Sequence, residues 1–156
     1  MDEREIKKRC LNLMAHAELV YLSSVNELGY PEIRAMTNLR NDGQFARLRG
    51  FFNALQDDFL VFLTTNRPSD KVVQIMRHSK VCLYYSSFPE VHGLMLGGTI
   101  EIVDDSTIRH MLWEESWRQF YYDGVDGTEY TVLKFRPEFG KGWYKNHGKF
   151  HLMFNS

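Results

Sequence analysis

The residues of this chain best placed for chemistry are Ser69 and Lys71, which open a helix-like segment after a polar turn. They lie in FLVFLTTNRPSDKVVQI, residues 59–75, where an apolar run typical of a buried strand gives way to helical spacing. Ser69 is a good N-cap residue, but a cation at Lys71 opposes the positive end of the helix dipole. A bound anion would explain the lysine, because a helix N-terminus is a ready phosphate site. The alternative is a surface lysine that tolerates a small repulsion.

A second candidate is Arg34, which lies in the middle of a strand-like run. Leu19–Asn26 and Tyr30–Thr37 read as two strands joined by a short connection that contains Gly29. A solvent-facing strand residue at position 34 would more often be Thr or Lys. The alternative, an ordinary outward arginine in an alternating strand, fits the periodicity equally well.

The elements that must position these residues are mostly strands. The sequence predicts about seven strands and three or four helices. Ser106–Phe120 is predicted as a helix. Further strands are predicted over Lys80–Ser86, Gly93–Asp104, Tyr130–Arg136 and Gly140–Asn146, after which a turn leads into Lys149–Phe154. Gly97 and Gly98 inside one strand indicate a bulge or a close approach by another backbone or a ligand. Consecutive strands joined by hairpins, with helices packed beside them, predict an antiparallel barrel in an α+β, mainly β protein.

Length and composition fit one soluble domain over residues 1–156. Hydrophobic residues make up 44% and charged residues 25% of the chain, and its net charge of -1 gives no reason to expect nucleic acid or an anionic membrane as partner. The charged start, MDEREIKKRC, has no signal-peptide core, and no apolar run approaches the ~20 residues of a membrane helix. Cys10 and Cys82 are solitary, which favours a reduced, cytoplasmic setting.

Several other chemistries lack their residues. There is no Gly-rich dinucleotide or P-loop motif. Of the six histidines only His147 and His151 are close in sequence, and no Cys or carboxylate cluster accompanies them, so no metal site is expected. Ser23 and Ser24 lack the flanking glycines of a nucleophile elbow.

The order of these motifs is the most specific signal in the chain. A helix, a hairpin with GYPEIRAM, a strand ending in TTN, Ser-x-Lys opening a helix, then KVCLYY and LGGTIEIV follow one another from about Ile6 to Phe154. This order resembles the flavin-binding split-barrel proteins related to pyridoxamine 5'-phosphate oxidase, in particular their short general-stress-protein-like branch. The resemblance implies an antiparallel split β-barrel and a homodimer that binds FMN at the subunit interface.

The resemblance also implies a set of cofactor-binding residues. Arg34 matches the arginine that reaches the flavin phosphate, and Ser69 and Lys71 match the ends of a Ser-Arg-Lys triplet that closes on it. The triplet's arginine is Asp70 here, and we infer that Arg67, in the same turn, replaces the missing guanidinium. The remaining positions line the flavin ring; they are the backbone of Ala35, Met36 and Thr37, the pair Thr64 and Thr65, and Trp143 from the neighbouring subunit.

Where the chain departs from the oxidase pattern, it loses parts of the pyridoxal-phosphate site. The oxidase reads W-x5-R-x-H-x-R near its carboxyl end, whereas this chain has Lys149 and Met153 at the two arginine positions. Leu39 stands where the oxidase has a lysine, and the oxidase's longer amino-terminal region is missing. The chain is therefore not expected to oxidise pyridoxamine phosphate, and no residue is predicted as its general acid or base.

The remaining functional hypotheses differ in the cofactor that is bound and in whether the protein catalyses a reaction. An FMN-dependent oxidoreductase of unknown substrate comes first. The alternatives are a flavin-binding or stress-related module without turnover, a deazaflavin-dependent reductase, and a haem-binding split barrel with His92 or His151 as ligand. The aromatic residues from Trp113 to Tyr122 exceed what one small barrel easily buries, which also predicts a dimer.

Overall fold

Alternating burial along the strands shows how the chain builds its sheet. In β1 (Leu19–Val25) and β4 (Lys80–Ser87), buried residues alternate with more exposed ones, as period-2 side-chain direction requires. The computed structural model describes residues 1–88 and 90–154. Within them seven strands pair antiparallel in the order β2-β1-β4-β5-β6-β3, and β7 also pairs with β6. The other strands are β2 (Pro31–Thr37), β3 (Val61–Asn66), β5 (His92–Val103), β6 (Tyr130–Tyr144) and β7 (Gly148–Met153).

Four α-helices in the described part of the chain pack around this sheet. They are α1 (Glu3–His16), α2 (Arg49–Asn53), α3 (Asp70–Arg77) and α4 (Ser106–Leu112), with 3₁₀ turns at Ala46–Leu48, Glu115–Gln119 and Lys145–His147. The Asp2 carboxylate caps α1 by accepting from the Glu5 N–H at 2.8 Å, and the buried face of α1 joins the main core. None of the described helices is long and apolar enough to cross a membrane. The predicted mainly β, antiparallel architecture is confirmed.

The barrel is split between β2 and β3. Each of these strands pairs on one side, and their other edges approach each other without joining the sheet. Arg40, just after β2, helps to hold them together, because its Nη2 donates to the carbonyl oxygens of Asp58 at 2.6 Å and of Leu60. The open edges of β2 and β3 therefore leave backbone polar groups available for a ligand.

One long strand replaces the two predicted over Tyr130–Arg136 and Gly140–Asn146, so that division was wrong. β6 continues through Pro137 because the ladder shifts register there: Gly97 faces Phe139 and Gly98 faces Pro137, leaving Glu138 as the extra residue. A Cβ on Gly98 would lie 2.8 Å from the Pro137 Cα. The expected bulge is therefore present between the two glycines, and the close backbone approach is at Gly98.

The predicted helix over Ser106–Phe120 was also wrong in its second half. α4 ends at Leu112, Trp113 is extended, and a 3₁₀ turn follows. The break lets Trp113 and Trp117 pack against Tyr130, with ring centroids 4.9 and 6.3 Å away, in a second core beside the barrel. Much of the aromatic excess is therefore buried within the chain, although Phe120 and Tyr122 stay exposed.

Candidate functional site

The predicted phosphate-binding residues converge where β3 ends, α3 begins and the β1–β2 hairpin passes beside them. α3 packs against β1, which places its first turn next to Arg34 on β2. The two segments chosen from the sequence are separate in the chain but adjacent in the fold.

Arg34 is held by a hydrogen-bond network rather than pointing freely into solvent. Its Nη1 donates to the Ser24 hydroxyl at 2.6 Å and to the Glu32 carbonyl at 3.1 Å, and its Nη2 donates to Gln74 Oε1 at 3.4 Å. Ser24 also donates to Gln74, whose amide donates to the Glu32 carboxylate. Gln74 thus ties α3 to both strands of the hairpin and fixes the arginine between them.

Lys71 and Ser69 form the other side of the site. Lys71 Nζ donates to Thr65 Oγ1 at 3.1 Å and has no carboxylate within ion-pair distance among the described residues. Ser69 does occupy the N-cap of α3, but its side chain makes no capping bond, and its buried Oγ has no hydrogen-bond partner within residues 1–88 and 90–154. A buried hydroxyl without a partner is costly, and rotation about its Cα–Cβ bond can present this one to a ligand.

The electrostatics of the pair favour an anion. Burial lowers the pKa of Arg34, and burial together with the nearby Arg34 charge lowers the pKa of Lys71. Asp70 offsets part of this repulsion for both groups, and the Glu32 carboxylate lies 3.6 Å from Arg34. Because the positive charges of Arg34 and Lys71 are close together and partly buried, a bound anion would stabilise both of them.

The backbone positions predicted to line a flavin ring lie along the split. Ala35, Met36 and Thr37 form the last part of the unpaired edge of β2. Thr64 and Thr65 lie near the end of β3, where Thr65 is buried and contacts Lys71. These five residues therefore occupy the two facing edges beside the Arg34–Lys71 pair.

Arg67 points to a different partner. Its Nη2 lies 3.5 Å from the Asp104 carboxylate, and both side chains are substantially exposed. An exposed ion pair of this kind contributes only about 0–1 kcal/mol, so Arg67 could exchange Asp104 for a phosphate. The role of Arg67 in phosphate binding therefore stays a prediction.

Trp143 lies apart from these residues, beside a cavity of about 490 Å³ between β4, β5, β6 and β7. It is 44% exposed, and Tyr84, Lys141, Lys149 and the buried His92 also line the cavity. A half-exposed tryptophan beside lysines can stack on a planar anionic group.

Sequence reasoning missed the residues that orient Arg34. Ser24 was considered only as a nucleophile, and neither Glu32 nor Gln74 was singled out. The one signal for Gln74 in the sequence was its spacing from Lys71, which puts both residues on one side of α3. The hydrogen-bond partners of Gln74 lie about 40–50 positions away in the chain, so local sequence does not indicate them.

Comparison with known proteins identifies the class. The chain belongs to the family described as pyridoxamine 5'-phosphate oxidase like, whose sequence model matches residues 34–156. A structure from Clostridium acetobutylicum, of a protein related to general stress protein 26 of Bacillus subtilis, is 29% identical; the match covers 99% of this chain and 97% of that one, with a TM-score of 0.72. The resemblance inferred from the order of motifs is confirmed.

More distant structures share the fold and differ in what they bind. A pyridoxamine 5'-phosphate oxidase-related, FMN-binding protein from Nostoc punctiforme is 13% identical, covering 100% of this chain and 98% of that one, with a TM-score of 0.64. A heme-binding protein from Mycobacterium smegmatis is 11% identical, covering 92% of this chain and 55% of that one, with a TM-score of 0.65. A search of curated proteins gave no match.

Proposed function

We propose that this protein binds FMN as a homodimer, with the phosphate between Arg34 and the first turn of α3. The observation that carries the proposal is the convergence of Arg34, Lys71 and the unpartnered Ser69 hydroxyl. A phosphate there would accept from both cations, from Ser69 and from free N–H groups of α3. The ring would then lie along the backbone edges at Ala35–Thr37 and Thr64–Thr65.

A second copy of the chain would complete the site through Trp143. The outer face of the sheet carries apolar side chains in neighbouring register positions, where Tyr21 faces Tyr84 and Tyr84 faces Met95. Tyr21, Tyr84, Trp143 and Met153 are between 37% and 62% exposed on this face. Lys141 follows Met95 in the same row, so the face is apolar over β1, β4 and β5 and basic beside Trp143. Exposed apolar side chains grouped in this way favour a partner. The free thiols of Cys10 and Cys82 suit a reducing, cytoplasmic setting.

The chemistry would come from the flavin. FMN would supply hydride or electron transfer, while this chain's residues bind its phosphate and orient its ring. A flavin-binding module without turnover is the competing proposal, since the site residues named here bind and orient rather than transfer protons. Pyridoxamine phosphate is a poor substrate on this proposal, because Leu39 is 1% exposed in the second core and its side chain is apolar.

The absorbance spectrum of the purified protein, before and after reconstitution with FMN, tests the proposal. We expect the flavin spectrum with one FMN per chain. A Soret band would instead favour haem, and a deazaflavin spectrum would favour that cofactor. A protein that carries no flavin after incubation with excess FMN and removal of the unbound ligand would contradict flavin binding altogether.

A further inference from the structure

The cavity beside Trp143 is lined by side chains that share the outer face of the sheet. Trp143 pairs with Gly93 of β5 and with Lys149 of β7, and Lys141 lies two positions earlier on β6. Because side chains alternate along a strand, Trp143, Lys141 and Lys149 project from the same face. All three line the cavity of about 490 Å³, which brings one aromatic ring and two amines together.

Tyr84 of β4 brings a phenol to the same place, because Gly93 leaves space for it. A Cβ atom on Gly93 would lie 2.5 Å from Tyr84 Oη, so the phenol reaches across β5 at the residue that pairs with Trp143. Tyr84 is 44% exposed and lines the cavity. Its hydroxyl is therefore open to a ligand beside the tryptophan ring.

The polar groups on this face suit an anion. The amines of Lys141 and Lys149 are hydrogen-bond donors only, and the Tyr84 hydroxyl can donate as well. None of the described residues that line the cavity is an aspartate or a glutamate. The cavity therefore favours an anionic group over a neutral or cationic one.

The apolar part of the cavity suits a flat ring. Trp143 is half-exposed and offers a ring surface on which a planar ligand can stack. The cavity volume lies within the roughly 300–1,000 Å³ that is typical of small-molecule sites. A flat ring with one charged substituent satisfies both parts of this lining.

We propose that this cavity binds a small aromatic anion, with its ring stacked on Trp143 and its charged group held by Lys141, Lys149 and the Tyr84 hydroxyl. In the proposed dimer Trp143 would lie against the flavin of the partner subunit, so a ligand here would lie next to that flavin. Aromatic anions are therefore the substrate class that we assign to the protein. This assignment rests on the proposed function, whereas anion binding in the cavity can be measured without it.

Benzoate and benzamide are suitable probes, because they share one ring and differ in charge. Line broadening of the probe's NMR signals gives each affinity, both for the protein as purified and after loading with FMN. The wild-type protein should bind benzoate at least about tenfold more tightly than benzamide. Lys141→Gln and Lys149→Gln should each weaken benzoate about threefold to tenfold and leave benzamide unchanged, because an exposed charge is lost. Lys80→Gln, on the same face of β4 but outside the cavity, is the matched control and should change neither.

Two further variants separate the ring and the hydroxyl from the charge. Tyr84→Phe keeps the ring and should weaken both probes about threefold, since the hydroxyl can donate to a carboxylate or to an amide oxygen. Trp143→Leu removes the stacking surface and should weaken both probes by a similar factor. Unchanged affinities in both variants would place the probe outside this cavity and overturn the inference.

The outcomes separate this inference from the proposed function. If the wild-type protein binds FMN but binds benzoate no more tightly than benzamide, the cavity is not an anion site and FMN binding stands. Loss of benzoate binding when FMN is loaded would mean that the flavin itself fills the cavity, which also overturns the inference. Selective benzoate binding by a protein that binds neither FMN nor riboflavin would support the anion site and overturn the proposed function.

Discussion

At the scale of single residues, the site depends on how strongly Arg34 and Lys71 are constrained before any ligand arrives. Arg34 already donates to oxygens of Ser24, Glu32 and Gln74, so little side-chain entropy is lost when it meets a phosphate. Lys71 rests on a neutral hydroxyl, Thr65, and gives up only a weak contact. Arg34 is therefore preorganised but keeps the Glu32 carboxylate 3.6 Å away as a competing partner, whereas Lys71 is the freer of the two cations.

Arg67 provides a residue-scale prediction, because its ion pair with Asp104 is exposed and weak. Arg67→Ala should weaken FMN about two- to tenfold and leave riboflavin unchanged, since a charge-assisted bond to phosphate is lost. Fluorescence titration with both ligands measures this. Asp104→Asn, which frees the guanidinium, should leave FMN binding equal or stronger. An unchanged FMN affinity in Arg67→Ala would remove Arg67 from the site and leave the other residues in place.

At the scale of elements, the site is a junction between the β1–β2 hairpin and α3. Gln74 makes that junction, because its carbonyl accepts from Ser24 and Arg34 while its amide donates to Glu32. The Asn26 amide donates to the same carboxylate and holds it at the hairpin end. The geometry of the proposed phosphate site therefore depends on a residue that would not itself touch the phosphate.

Replacing Gln74 separates charge from structure. Gln74→Glu should weaken FMN about tenfold or more, because a carboxylate beside Arg34 neutralises it and repels the phosphate. Riboflavin should be little affected. Gln74→Met removes the hydrogen bonds without adding charge, and it should lower the free energy of unfolding by about 1–3 kcal/mol. Urea denaturation and ligand titration measure the two effects. Equal loss of both flavins in Gln74→Glu would contradict a charge effect.

The parts of the site that follow from local sequence could be predicted, and those that depend on long-range packing could not. Ser69 and Lys71 share a short strand–turn–helix segment. Arg34 is a charged residue within an otherwise largely apolar strand of a hairpin. Local patterns therefore pointed to all three. Nothing in the sequence of its own helix distinguishes Gln74, and only the packing of α3 on β1 brings it to Arg34. The same limit explains the helix wrongly extended past Leu112, because the aromatic core that ends it assembles from distant segments.

At the scale of the whole molecule, the proposed site requires two chains. The phosphate residues and the Trp143 cavity lie on different parts of one chain, and the apolar outer face of the sheet lies between the strands that carry them. A dimer would bring Trp143 of one subunit to the flavin held by the other. Light scattering at low micromolar concentration should give the mass of a dimer, and a flavin-loaded monomer would contradict the shared site.

Mixed dimers test the sharing directly. If the site is shared, Lys71→Ala and Trp143→Ala should each damage both sites of their own homodimer. A hybrid of one chain of each kind contains one site with both lesions and one with neither. Hybrids isolated with two different affinity tags should therefore regain wild-type affinity at about half of their sites. Hybrids with no recovered site would show that each flavin is bound within one chain.

The most direct test of the phosphate site is the selectivity of Lys71→Ala for FMN over riboflavin, which has the same ring without the phosphate. A hydrogen bond to a charged group contributes roughly 1.5–3 kcal/mol, so the variant should bind FMN about tenfold to a hundredfold more weakly than the wild type. Riboflavin affinity should be unchanged, and the FMN penalty should shrink as salt rises. Equal weakening of FMN and riboflavin would mean that Lys71 has a structural role and that the phosphate binds elsewhere.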